Sequence, residues 1–405
     1  MVSNRLREAR LAAGLTQEEV VTQLAGHGVR LTKAGLSKYE RGVSVPPASL
    51  LLRLGQILGV PTDFFFREVT TTVEWCAFRK LSRLGDRRQE RVKVLAEQVV
   101  ERMVWLQQTL WPQSKPAFTS PVRVQSPAEA EAAATALRKK WKLGDVPIES
   151  VTETLEDKGC IVVEYPHEED QFHGLSGWAN DTYPVAVTAS AGANDRRRFN
   201  LAHELGHLVM NCEGVAEKDQ EKLAHRFAAA FIVPAPVAVH ELGSKRRRLS
   251  FQELGLLKQK HGLSMQAWLF RARDLDIITD GHFRSLFTQF SARGWRKQEP
   301  VDYPGEGHPI RLKQLTIRAM AEGIITADKA EELCPGCIKD EPAGKTPLGY
   351  VSAADVMKLP VEEREALLSN AAALAQTEYE TNPDLTDFEA FGEEDLRDET
   401  PPDDE

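Results

Sequence analysis

Residues 197–210 read "RRFNLAHELGHLVM", and within them His203, Glu204 and His207 fall in the spacing H-E-x-x-H. On a helix, positions i and i+4 share one face, so His203 and His207 can turn ring nitrogens toward a single cation. Glu204 is rotated one step round, within reach of a water in an open coordination position. Imidazole suits zinc, and three protein ligands leave room for that water. The chemistry such a centre serves is metal-assisted hydrolysis, most often of a peptide bond, with Glu204 as the base. Leu201, Ala202, Leu205, Leu208 and Val209 make the helix apolar on most faces, which predicts burial and leaves two histidines needing partners. Gly206 in the middle costs about 1 kcal/mol relative to alanine, so a close neighbour is expected there.

A third ligand is required. The extended metzincin pattern would need glycine at 210 and histidine at 213; Met210 and Glu213 stand there instead, which excludes it. Downstream, "EKLAHRFAAAFIVP" at 221–234 reads as a helix with Ala224, Phe227 and Ala228 turned inward and Pro234 closing it. Glu221 is the expected third ligand, with Glu213, Glu217 and His225 as alternatives. His225, one turn after Glu221, can instead serve as a partner that orients a ligand.

At 405 residues the chain exceeds a single core and is expected to hold two to four domains. No apolar run approaches the roughly 20 residues that span a bilayer, and "MVSNRLREAR" carries charge where a signal peptide needs an apolar segment; a cytoplasmic protein without membrane contact is expected. Five scattered cysteines do not form a disulfide framework, and Cys334 and Cys337 in "LCPGC" read as a reduced turn. The net charge of −9 seems to exclude nucleic acid until it is located. Residues 387–405 carry ten acidic side chains against one arginine, and the remainder is close to neutral. Residues 1–66 hold eight Lys/Arg against five Asp/Glu, a mildly basic start where a DNA contact would be sought.

Helical period and caps mark four short helices in that opening segment, the second starting at Thr16 with Glu19 in a capping box and the third capped at Thr32. A charged helical stretch at 87–111 ends in the prolines Pro112, Pro116 and Pro121. "CIVVEY" at 160–165 and "PVAVTA" at 184–189 read as buried strands just before the H-E-x-x-H helix, and helices return beyond 243. The expected organisation is 1–68 an all-α helix-turn-helix unit, 69–118 a helical linker, 119–242 an α+β zincin-like unit, 243–358 a helical region, and 359–405 a helix running into an acidic tail too apolar-poor to order itself. The fold class is multidomain and mainly α.

"RRFNLAHELGHLV" followed by "EKLAHRFAAAFIVP" resembles the ImmA/IrrE family of bacterial metallopeptidases, and "LRKKWKLGDVPIESVTETLEDKGCIVV" is similar to its lead-in, about 120 residues in all. The resemblance implies zinc held by His203, His207 and Glu221, Glu204 as general base, and inactivation of Xre/Cro-type repressors as the task. His225 stands where that family usually has asparagine or aspartate. "GLTQEEVVTQLA" and "LTKAGLSKYERGVSVPP" resemble the Xre/Cro helix-turn-helix. That resemblance implies binding of double-stranded operator DNA, with Lys33, Ala34 and Lys38 exposed on the recognition helix, Ser37 and Arg41 able to reach phosphates, and Gln17 at the start of the second helix. Leu36 and Tyr39 are expected in the core. The C-terminal stretch is weakly similar to antitoxin tails, which implies a toxin as an alternative partner; a solvated helix with a solubilising tail explains the same charges. The expected function is a DNA-binding regulator with a zinc-dependent endopeptidase that cleaves a repressor or itself. The alternative is a non-proteolytic regulator or antitoxin that keeps the peptidase fold as scaffold or sensor. A homodimer is expected if the operator is palindromic.

Overall fold

The computed structural model describes residues 2–76, 85–113, 116, 118–165, 172–305 and 307–338, with 360, 361, 364, 365, 368, 369, 372 and 376. The chain divides into two units, Met1–Ile338 and Lys339–Glu405. In the second, the described residues from 361 onward are helical, and the acidic tail lies outside the described residues, as does the segment 339–358.

The first unit opens with helices Val2–Ala12 (α1), Gln17–Gly26 (α2), Lys33–Glu40 (α3) and Ala48–Leu58 (α4). Thr16 and Glu19 close the expected capping box, and Thr32 accepts from the Gly35 N–H. Leu6, Val20, Leu24, Leu36, Leu54 and Phe65 form a core of their own, with Tyr39 packed at its side.

After this come strand Val73–Trp75 (β1) and helix Asp86–Leu110 (α5). Residues 69–118 thus hold a strand as well as the helix expected of a linker, and both pack against the sheet of the peptidase-like region. Strand Val122–Arg123 (β2) leads into helices Pro127–Trp141 (α6) and Val151–Asp157 (α7). Strands Ile161–Tyr165 (β3), Gly174–Ala179 (β4) and Tyr183–Ala189 (β5) precede the helix Asn194–Val209 (α8). The sheet order is β1-β4-β5-β3, with β3 parallel to β5 and the other pairs antiparallel. Asn180 and Asp181 stand at φ +47 and +50 in the three-residue turn between β4 and β5, a left-handed conformation that Asn and Asp tolerate. β3 and β5 match the two expected strands; β4, "GLSGWA", is not among them, because it lacks the β-branched residues that mark a strand.

Strand Met210–Asn211 (β6) pairs with β2, and helices Glu217–Ile232 (α9) and Ala235–Leu242 (α10) come next. Beyond 243 lie Phe251–His261 (α11), Met265–Asp274 (α12), Asp280–Ala292 (α13), Arg311–Ala321 (α14) and Ala327–Leu333 (α15). Alternation along β3 and β5 splits the core. Ile161, Val163, Val185 and Val187 pack with α5, α14 and α15 on one face. Val162 and Ala186 pack with α6, α8 and α9 on the other. Helices on both faces explain why these strands read as continuous apolar runs. The architecture is mainly α, with a small mixed sheet holding the H-E-x-x-H helix on one face. The bend after α15 brings the Cα atoms of Cys334 and Cys337, where the sequence suggests a reduced turn, to 5.6 Å, within bridging range. Among the described residues, no single helix is long and apolar enough to cross a membrane.

Candidate metal centre

α8 is buried along nearly its whole length, as its apolar pattern dictates. Its i and i+4 positions set His203 and His207 side by side, with Nε2 atoms 3.2 Å apart. α9 lies against it through Ala224, Phe227 and Ala228. The expected close neighbour of Gly206 is Phe227: a Cβ at 206 would stand 3.1 Å from Phe227 Cδ1. That approach brings Glu221, at the open end of α9, over both imidazoles. Its Oε1 is 3.3 Å from His207 Nε2 and its Oε2 is 3.4 Å from His203 Nε2.

These three residues are gathered with their donor atoms within 4.8 Å of one another. A tetrahedral zinc, about 2.0–2.1 Å from each ligand, requires donors roughly 3.3 Å apart. The separations of 3.2, 3.3 and 3.4 Å fit, and two imidazoles with one carboxylate form a donor set that leaves a fourth position open. Of the alternatives, Glu213 and Glu217 are exposed and stand outside the group. His225 is exposed too; its Nδ1 lies 2.6 Å from the Glu221 carbonyl oxygen, and its ring sits 4.4 Å from that of His203.

Glu204 is 1% exposed. Ser176 of β4 donates its hydroxyl to Glu204 Oε2 at 2.7 Å. Gly174, two residues earlier on the same strand face, leaves the room that Oε1 occupies, since a Cβ there would be 2.6 Å from that oxygen. Sequence reasoning misses both residues; a glycine two before a serine, with no apolar alternation around them, is the whole signal. β1 runs along β4 toward the same place, and the Cys76 N–H donates to the Ser176 carbonyl at 2.8 Å.

At the other end of the chain, Lys33, Ala34, Lys38 and Arg41 are exposed on or just beyond α3, and Ser37 is half-buried. Lys33 faces Glu18 at 3.7 Å, a solvated pair worth little. Gln17 is turned inward: its amide donates to Glu40 Oε2 at 2.8 Å, and Arg10 grips the same carboxylate at 2.6 and 2.9 Å. This network fixes α1 and α2 against the end of the recognition helix.

Residues 2–63 match the family model of a helix-turn-helix domain, and residues 156–273 match that of an IrrE N-terminal-like domain, a metallopeptidase family. Among curated proteins, uncharacterised HTH-type transcriptional regulators of Sinorhizobium medicae (strain WSM419) and Rhizobium meliloti (strain 1021) are each 36% identical over 67 residues, 16% of this chain and 45% of theirs. The SPbeta prophage-derived uncharacterised HTH-type regulator YonR of Bacillus subtilis (strain 168) is 34% identical over 67 residues, 16% of this chain and 57% of its own. The chain thus spans about half the length of the curated relatives it matches.

Proposed function

We propose that this chain, which carries a helix-turn-helix regulator domain and an IrrE-like peptidase domain, is a transcriptional regulator with a zinc endopeptidase that cleaves a helix-turn-helix repressor or itself. The observation that carries the reading is the convergence of His203, His207 and Glu221 at tetrahedral spacing beside a buried Glu204. Those three residues would hold the metal. Zinc, when bound, lowers the pKa of a coordinated water toward about 7 and polarises a scissile carbonyl. The protein's own part is proton handling. Ser176 donates to Glu204 Oε2 and steadies the carboxylate, which takes the nucleophile's proton and delivers it to the leaving amine. Burial keeps bulk water from competing for that carboxylate.

The recognition helix α3 would enter the major groove of double-stranded operator DNA, with Lys33, Ala34 and Lys38 toward base edges and Ser37 and Arg41 toward phosphates. Gln17, held by Glu40, is assigned a supporting role next to the backbone. Tethering a peptidase to an operator raises its local concentration around repressors bound there. A protein acting on operator DNA in this way would work in the cytoplasm, and a palindromic operator would be read by a homodimer. The proposed working segments are 1–68 for DNA and 119–242 for catalysis, with 69–118 as the linker between them, 243–358 as the region that follows and 359–405 as the tail.

The test is to purify wild type and Glu204→Gln, quantify zinc in both, and incubate each with the repressors encoded nearby. Zinc in both and cleavage by wild type alone supports the reading and the role of Glu204. Zinc in both with no cleavage, and a neighbouring toxin copurifying through residues 359–405, would move the non-proteolytic antitoxin reading ahead.

A further inference from the structure

The strand that positions Glu204 has its outer edge filled by the chain itself. β4 carries Gly174 and Ser176 against the Glu204 carboxylate, and β1 pairs with β4 antiparallel, Val73 opposite Ala179, Glu74 opposite Trp178 and Trp75 opposite Gly177. The Cys76 N–H continues the ladder to Ser176. An extended polypeptide laid beside Glu204 would need that same row of β4 backbone groups.

We propose that residues 72–76 are an internal strand occupying a polypeptide-binding edge of β4, so that the centre is self-blocked and a substrate strand must displace β1. This rests on the peptidase reading above. Three features indicate a fitted occupant. Gly177 has no side chain where β1 approaches: a Cβ there would stand 2.4 Å from the Glu74 carbonyl oxygen and 3.0 Å from the Trp75 ring. Asn180 clamps the strand's start, its Oδ1 accepting from the Thr72 N–H at 3.0 Å, its Nδ2 donating to the Thr70 carbonyl at 3.2 Å and its own N–H to the Thr72 carbonyl at 2.9 Å. The Trp75 indole donates to Glu97 of α5 at 3.0 Å.

The same strand is light enough to leave. β1 is three residues long, with Thr72, Glu74 and Cys76 exposed, whereas the β4–β5 ladder pairs six positions. A short ladder at a sheet edge opens at much lower free energy than the core. β1 also lies outside the 156–273 stretch that matches the peptidase family, so the occupant is contributed by the part of the chain between the two matched domains. Main-chain pairing at an exposed edge is a general way to take up an extended peptide, with antiparallel register supplied by the edge strand.

The experiment measures binding apart from cleavage. Zinc-loaded full-length Glu204→Gln is titrated with fluorescently labelled, unfolded casein and followed by anisotropy, in two added forms. Glu74→Pro removes a donor in the middle of β1 and releases it. Val73→Cys with Ala179→Cys, oxidised across a directly opposed pair, locks it in place and is reversible by thiol. Hydrogen exchange at 72–76 verifies release and locking. The expected result is binding at least tenfold tighter for Glu74→Pro and at least tenfold weaker for the locked form, restored on reduction. Equal binding by the released, parent and locked forms, or no binding by any of them, overturns the proposal. Casein cleavage is scored separately in chains that keep Glu204, with and without Glu74→Pro: cleavage with no binding difference sinks the self-block alone, and a binding difference with no cleavage even by the released form sinks the peptidase reading alone.

Discussion

At the scale of single residues, the centre depends on how the Glu204 carboxylate is held. Ser176 is fully buried and donates its hydroxyl to Oε2, which fixes the orientation of the carboxylate proposed to move protons. Ser176→Ala is expected to lower kcat for a cleaved repressor about tenfold, the lower range for a misplaced general base, while zinc content stays unchanged. A fall in zinc content would mean instead that Ser176 supports the ligands. His203, Glu204 and His207 are legible in the sequence because their spacing is set by one helix turn, a local property. Glu221 is legible as one of four candidates; choosing among them needs the α8–α9 contact, since Glu213, Glu217 and His225 carry equally suitable atoms. Gly174 and Ser176 are not legible, because what they touch lies about thirty positions along the chain.

At the scale of elements, two packed pairs set the geometry. α8 and α9 approach closely at Gly206, where Phe227 stands 3.1 Å from a would-be Cβ. Gly206→Val is expected to destabilise by about 1–3 kcal/mol through overpacking and to weaken zinc retention, since the same approach sets the Glu221 to His203 distance. Thermal melts with and without zinc check both parts. The second pair joins α7 to α14. Glu156 accepts from the N–H groups of Ile310 and Arg311 at 3.4 and 3.2 Å, yet burial dominates and pushes its carboxyl up to about 7. The folded chain therefore keeps this proton to about pH 7, while the unfolded chain releases it near pH ~4.3. Between these values the folded state binds more protons, so this group's contribution to stability falls as pH rises through that window. Glu156→Gln removes the titration while keeping one acceptor oxygen for these N–H groups, and is expected to flatten the loss of stability between pH 5 and 7, read from urea midpoints. An unchanged slope relative to wild type would place the titration elsewhere. Helices are predictable here from period and caps; β4 is not, because a glycine- and serine-bearing strand buried between neighbours has no periodic signature.

At the scale of the whole molecule, a buried cation joins α1 to α5 and to the chain that leads into β1. Arg5 of α1 is 3% exposed, bonds Glu101 of α5 at 2.6 and 2.9 Å, and donates to the carbonyls of Arg67 and Glu68 at 3.2 and 2.6 Å. Glu68 lies four residues before Thr72, the root of β1. Arg5→Ala strands a partly exposed carboxylate and two carbonyls, and is expected to cost about 2–3 kcal/mol, below the range for a fully buried pair. It is also expected to quicken hydrogen exchange at residues 72–76 while leaving β5 protected. Equal exchange in both strands would mean that Arg5 stabilises the fold without bearing on β1.

The sequence by itself determined the parts whose physics is local: the capped helices of the DNA-reading end, two β-branched strands, and two histidines and a glutamate within one helix turn. Only the tertiary structure decided which acid stands beside the two histidines, which strand steadies Glu204, and that residues 72–76 fill the edge beside it. Those outcomes depend on contacts between segments far apart in the chain, fixed by close packing at Gly206 and Gly177 and by shared backbone hydrogen bonds, neither of which leaves a periodic trace in the order of the residues.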